Sequence, residues 1–88
     1  MENKHSVTSL AGLRCGEKGI VLSVSSENKI LCSKLLSMGI VAGTRIEVLA
    51  IAPFGDPIQI RALGYKLSLR INEASTIEVR PECGAIEN

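Results

Sequence analysis

Arg45-Ile46-Glu47-Val48-Leu49-Ala50-Ile51-Ala52-Pro53-Phe54-Gly55-Asp56-Pro57-Ile58-Gln59-Ile60-Arg61-Ala62 reads as two strands and the turn between them. Ile46, Val48 and Ala50 alternate with Arg45, Glu47 and Leu49, and Ile58, Ile60 and Ala62 alternate with Gln59 and Arg61. That period of two marks strands with one apolar face. Pro53 and Pro57 fix φ and lack an N–H, so they do not both belong to a hydrogen-bonded central strand. Gly55 allows φ > 0, and Asp56 can bond nearby backbone. Phe54, the only phenylalanine, sits in the middle of this turn. A lone Phe at a turn tip either folds back to close the end of a core or stands out as an apolar contact for a partner.

Downstream, Leu63-Gly64 is a two-residue connection suited to a tight hairpin. Tyr65, Leu67, Leu69 and Ile71 then alternate with Lys66, Ser68 and Arg70, the cleanest such run in the chain. It predicts a buried and a wet face, with Leu69 in the core. Asn72 to Ser75 reads as a short turn or one 3₁₀ turn. Ile77 and Val79 mark a last short strand that Pro81 ends.

Upstream, Ile20 to Ser25 is rich in β-branched residues and bounded by Gly and Ser, which predicts a strand. Leu10 and Leu13 enter the core before it, and Gly16 to Gly19 turn the chain. Ser25 or Ser26 offers a helix N-cap, with Glu27 in the first turn. The helix is expected over about 27–38, with Leu31, Leu35 and Met38 as its core stripe, Cys32 and Leu36 widening it, and Lys34 facing water. Gly39 is placed to end the helix in a left-handed conformation, and Ile40 to make the accompanying apolar contact.

About five short strands and one inserted helix result. A flat sheet of that size leaves two raw edges, and closure removes them. The expected fold is mainly β: a small SH3-like, partly open β-barrel. A leader is expected over residues 1–6, the barrel domain over 7–81 and a tail over 82–88.

Composition narrows the function. With 88 residues there is room for one domain, and 10 basic against 9 acidic residues leave a net charge of +1. That balance gives no electrostatic footprint for nucleic acid or an anionic membrane. Two aromatics, Phe54 and Tyr65, are too few for base stacking or a proline-rich groove. Tyr65 is expected inside the barrel. The polar start and the absence of a long apolar run point to the cytoplasm. The three cysteines, Cys15, Cys32 and Cys83, are odd in number and widely spaced, unlike a disulfide framework.

Enzyme chemistry finds no constellation: His5 is the only histidine, Asp56 the only aspartate, and no phosphate loop is present. Asp56 is expected to cap its own turn. No pair of cysteines or histidines has metal-ligand spacing. No cofactor is expected to be required, and only weak Fe2+ or other transition-metal binding is left open.

Three stretches together resemble one family. Leu35-Leu36-Ser37-Met38-Gly39-Ile40-Val41-Ala42-Gly43-Thr44-Arg45-Ile46-Glu47-Val48, Ala52-Pro53-Phe54-Gly55-Asp56-Pro57-Ile58 and Gly64-Tyr65-Lys66-Leu67-Ser68-Leu69-Arg70 are similar to the signature of the FeoA family, the small cytosolic component of bacterial ferrous-iron uptake. Leu10, Leu13, Gly16 and Gly19 extend the match, which covers about residues 7–80. The resemblance implies an SH3-like barrel with an inserted helix. It also implies association with FeoB, a ferrous-iron transporter carrying a cytoplasmic G-protein domain. The implied role is an accessory or regulatory partner that binds that G-protein domain or the membrane part, and meets the membrane only through the transporter. Similar domains end iron- and manganese-dependent repressors, so Fe2+ binding or sensing is the alternative; no winged-helix DNA reader is present here. Any protein contact must be aliphatic, and the candidate residues are Leu36, Met38, Ile40, Val41 and Phe54.

Overall fold

The computed structural model describes residues 7–82; the expected leader 1–6 and residues 83–88 of the expected tail lie outside them. Six strands form one antiparallel sheet: β1 (Thr8–Ser9), β2 (Lys18–Val24), β3 (Arg45–Ile51), β4 (Ile58–Ala62), β5 (Tyr65–Leu69) and β6 (Ile77–Glu82), in the order β1-β6-β2-β3-β4-β5. A 3₁₀ turn, Leu10–Gly12, follows β1. The helix α1 (Lys29–Ser37) follows β2, and a one-turn helix, α2 (Ile71–Ala74), follows β5. The fold is the mainly β, open SH3-like sheet expected from the sequence. The sixth strand is the two-residue β1, too short to show a period, which pairs Thr8 with Val79 and Ser9 with Glu78.

Two bulges curl the sheet. The register shifts between Val21 and Ser23 against β6, and between Val48 and Ala50 against β4. A bulge adds a residue to one strand and bends it. The second bulge explains why Ile46 and Val48 are buried while Ala50, two residues further on, is exposed. Pro81 does not end β6, which continues to Glu82 with Pro81 opposite Gly19. Pro81 lies past the end of β1, where β6 has a neighbour on one side only and a missing N–H breaks no second ladder.

The core is aliphatic. Leu10, Val21, Leu35, Ile40, Ile46, Val48, Ile58, Ile60, Leu69, Ile77 and Val79 are fully buried. Leu31, Met38 and Leu67 pack against it from partly buried positions. The helix starts two residues later than the sequence suggests, because Asn28 caps it: its Oδ1 accepts from the Leu31 N–H at 3.1 Å. Ser26 instead supports the cap, its Oγ accepting from the Asn28 N–H at 3.0 Å. At the other end Gly39 has φ +88°, the left-handed conformation expected of it. Its N–H bonds to Leu36 O at 2.9 Å and the Ile40 N–H to Leu35 O at 3.0 Å, the paired bonds of a Schellman motif.

Candidate protein-docking surface

The helix terminus and the loop after it are rigidly bonded. Thr44, itself buried, donates from Oγ1 to Gly39 O at 3.0 Å. The Thr44 N–H bonds to Val41 O at 3.0 Å, the Gly43 N–H to Val21 O at 2.7 Å and the Val21 N–H to Thr44 O at 2.8 Å. On this frame Leu36 is 62% exposed and Val41 is also exposed, while Met38 is half-buried. Ile40 is 1% exposed. It makes the apolar contact of the helix cap and cannot touch a partner, so it leaves the candidate surface.

The β4–β5 turn adds a residue that the sequence did not single out. Leu63 and Gly64 both have positive φ, 56° and 82°, as a two-residue hairpin turn of the mirror-image type requires. Asparagine or glycine fits the first of these positions, whereas a leucine there carries a backbone cost. Leu63 is nevertheless 61% exposed. Its Cδ1 lies so close over Gly39 that a Cβ on Gly39 would collide with it. Leu63 therefore joins the helix end, with Leu36 and Val41 either side of Gly39 in sequence. A leucine that is both strained and exposed breaks a local rule, as residues at functional sites do.

Phe54 lies elsewhere. It is 97% exposed and does not fold back over the core. Its loop is attached to β3 at Ile51, which pairs with Ile58, whereas the Leu63 turn follows Ala62, which pairs with Ile46. The two features stand at opposite ends of β4, roughly 13 Å of strand apart. Leu36, Met38 and Val41 thus gather at one end of the barrel and Phe54 at the other.

The Phe54 loop is also held. The Gly55 N–H bonds to Ala52 O at 2.7 Å and the Ala52 N–H to Pro57 O at 3.1 Å; the Asp56-Pro57 peptide is cis. Asp56 does not cap its own turn. Its Oδ1 accepts from the Ile71 N–H at 2.8 Å, and its Oδ2 lies 3.5 Å from Arg70. The carboxylate ties this loop to the first turn of α2, fifteen residues on.

One buried charge holds α1 over α2. Glu73 is 8% exposed. Its Oε1 accepts from the Arg70 N–H at 2.9 Å, and Lys34 Nζ donates to its Oε2 at 2.5 Å. The Lys34 hydrogen bond, then the Arg70 N–H, hold the carboxyl below its ordinary range against the opposing effect of burial. Lys34 therefore bridges two elements instead of simply facing water.

Tyr65 is 70% exposed, not inside the barrel, although its partner Ala62 is buried. β5 is the edge strand of the sheet, and at Tyr65 its inner face is left uncovered.

Of the thiols, Cys15 is exposed and donates to Leu49 O at 3.1 Å, and Cys32 is half-buried beside Ser26 O at 3.5 Å. No group of three or more His, Cys, Asp or Glu among the described residues is placed to hold a metal ion. His5 and Cys83 lie outside the described residues. No helix among them is long and apolar enough to cross a membrane.

The geometry defines a class: a small SH3-like barrel displaying rigid aliphatic surfaces. The FeoA domain model matches residues 8–81, and the chain belongs to that family. It is 34% identical over 70 residues to the Fe(2+) transport protein A/Fe(2+) transporter FeoB fusion protein of Porphyromonas gingivalis, a match covering 80% of this chain and 8% of that protein. The solution structure of a FeoA-like protein from Clostridium acetobutylicum superposes with TM-score 0.82 at 36% identity, covering 93% of this chain and 94% of the other. Zinc-complexed FeoA from Stenotrophomonas maltophilia, described as an SH3 domain protein, gives TM-score 0.75 at 26% identity over 85% and 95% of the two chains. A manganese-dependent transcriptional repressor shares the fold at TM-score 0.80 and 25% identity, with 86% of this chain matching 42% of the repressor.

Proposed function

We propose that this barrel is a cytoplasmic, non-catalytic accessory module of ferrous-iron uptake that docks on a FeoB-type transporter and modulates its nucleotide cycle or assembly. The observation that carries this reading is the apolar helix end: Leu36, Met38, Val41 and Leu63, presented on a hydrogen-bonded frame. A preformed apolar surface binds at a reduced ordering cost. The P. gingivalis relative supports the choice of partner, since there a matching segment and a FeoB transporter share one polypeptide. Phe54, at the far end, is a second contact.

The test is a titration of detergent-solubilised full-length FeoB with this protein and with Leu36→Glu and Val41→Glu. Both positions are exposed, so both variants keep their thermal midpoints. Binding by the native chain and its loss in the variants is the expected result. An absence of native-chain binding to the full-length transporter refutes the proposal.

A second reading, Fe2+ binding or sensing, is favoured by the zinc-complexed S. maltophilia relative and the exposed Cys15 thiol. Anaerobic calorimetry with Fe2+ on the native chain and on Cys15→Ser/Cys32→Ala/Cys83→Ser separates the two readings. Tight uptake lost in the triple variant selects metal binding, whereas weak uptake equal in both removes it.

A further inference from the structure

One row of side chains crosses five strands on the outer face of the sheet. Glu82 of β6 pairs with Lys18 of β2, Lys18 with Glu47 of β3, Glu47 with Arg61 of β4, and Arg61 with Lys66 of β5. Direct cross-strand partners point to the same face with close Cβ atoms, so opposite charges in such pairs stabilise and like charges oppose. The sign alternates from Glu82 to Arg61 and fails only at the last step, where Arg61 faces Lys66. The next position in the row, beyond β5, is where an acidic side chain would restore the alternation.

That position is open to a strand. β5 stands at the end of the sheet order. The Leu63-Gly64 turn is closed by a bond between Ala62 and Tyr65, which makes them a hydrogen-bonded pair. Hydrogen-bonded and non-bonded pairs alternate along an antiparallel ladder. Lys66 and Ser68 therefore aim their N–H and C=O groups away from β4. Both residues are exposed, and neither meets a backbone partner in the described loops and caps. On the other face of this edge lie the exposed Tyr65 ring and the half-buried Leu67.

We propose that the β5 edge receives an extended acidic segment of a partner protein as a seventh strand, with a carboxylate opposite Lys66 and apolar residues at alternate positions over Tyr65 and Leu67. This is β-augmentation: main-chain bonds hold the strand and alternate side chains select it. A second copy of this chain brings no carboxylate to Lys66: an antiparallel β5–β5 pairing centred on Ser68 sets it against Arg70, one centred on Leu67 against Ser68, and one centred on Lys66 against itself. The strand that fits this edge has the same chemistry whichever protein supplies it.

The test uses ¹⁵N-labelled protein and two blocked peptides, acetyl-Thr-Val-Glu-Val-Ser-Val-Thr-amide and its Glu-to-Lys counterpart. The acidic peptide is expected to shift resonances along Tyr65–Arg70, to slow exchange of the Lys66 and Ser68 amides, and to bind about tenfold tighter than the basic one. Lys66→Glu inverts that preference. Ser68→Pro, which removes an outward N–H and leaves the β4 ladder intact, abolishes binding while the fold is retained. Equal binding of the two peptides, shifts located away from β5, or no binding at all overturns the proposal.

Discussion

Replacing Glu73 tests whether one buried carboxylate fixes the helix to the barrel. The carboxylate joins Lys34 of α1 at 2.5 Å to the backbone of Arg70 at 2.9 Å and is almost fully buried. Hydrogen bonds to a charged group contribute about 1.5–3 kcal/mol each. In Glu73→Ala both are lost and the Arg70 N–H is left without its acceptor, while the half-exposed Lys34 ammonium turns to water at little cost. The expected loss is about 2–4 kcal/mol. For a domain of this size, that is a fall in thermal midpoint of roughly 10–25 °C. Glu73→Gln keeps an oxygen for Arg70 but removes the charge opposite Lys34, so about 1–2 kcal/mol is expected. The pH dependence fixes the sign. The folded carboxyl titrates below the ordinary glutamate range, so its contribution is complete above that range and disappears as pH falls through the folded value. Native and Glu73→Gln stabilities therefore differ at neutral pH and converge in acid. The chain has no tryptophan, so urea unfolding is followed by far-UV circular dichroism. Glu73→Ala within 0.5 kcal/mol of native, or Glu73→Gln running parallel to native from about pH 7 to pH 3, would refute the assigned role.

Three further outcomes are expected. Leu69→Ala, in the core opposite Ile58, costs about 2–5 kcal/mol in the same urea assay. A loss under about 1 kcal/mol would mean that the β5 register is reversed. Gly39→Ala combines a positive φ with a collision against Leu63 and costs at least about 1–2 kcal/mol; an unchanged midpoint contradicts the described packing of the β4–β5 turn on the helix end. Asp56→Ala removes the acceptor of the Ile71 N–H and costs about 1 kcal/mol. In that variant the Ile71 amide exchanges faster, whereas exchange confined to the 52–57 loop would show that Asp56 serves only its own turn.

Period-two runs revealed the strands, and the 31/35/38 spacing with Gly39 revealed the helix and its end, because those signals depend on neighbours in sequence. What they did not reveal depends on the closure of the sheet. The bulge at Leu49 turns Ala50 outward, and the continuous apolar run Val48-Leu49-Ala50-Ile51 carries no mark of where the register shifts. Tyr65 obeys the pattern of its strand and is still exposed, because β5 is the edge of the sheet. Turn chemistry located the Phe54 loop but not the direction of the ring, which is set by what lies over the barrel end. Ile40 is a surface candidate by its place at the helix end, yet the apolar contact expected of it after a left-handed Gly39 is the one that buries it. The Lys34–Glu73 contact joins residues 39 positions apart and follows from topology, which no local spacing encodes. In the sequence Leu63 is a turn residue, yet leucine in a position suited to asparagine is itself a signal that the turn has a use beyond turning.

The pairing of Thr8 with Val79 has a consequence for architecture. The chain enters and leaves the barrel through neighbouring strands of the same sheet. A covalent host can therefore carry the barrel on either end, or loop it out between two of its own segments, with entry and exit a few ångströms apart where β1 and β6 pair. A tether attached there pulls on β1 and β6. The helix end belongs to the segment between β2 and β3, Phe54 to that between β3 and β4 and the free edge to β5, so all three proposed contacts remain outside the line of pull.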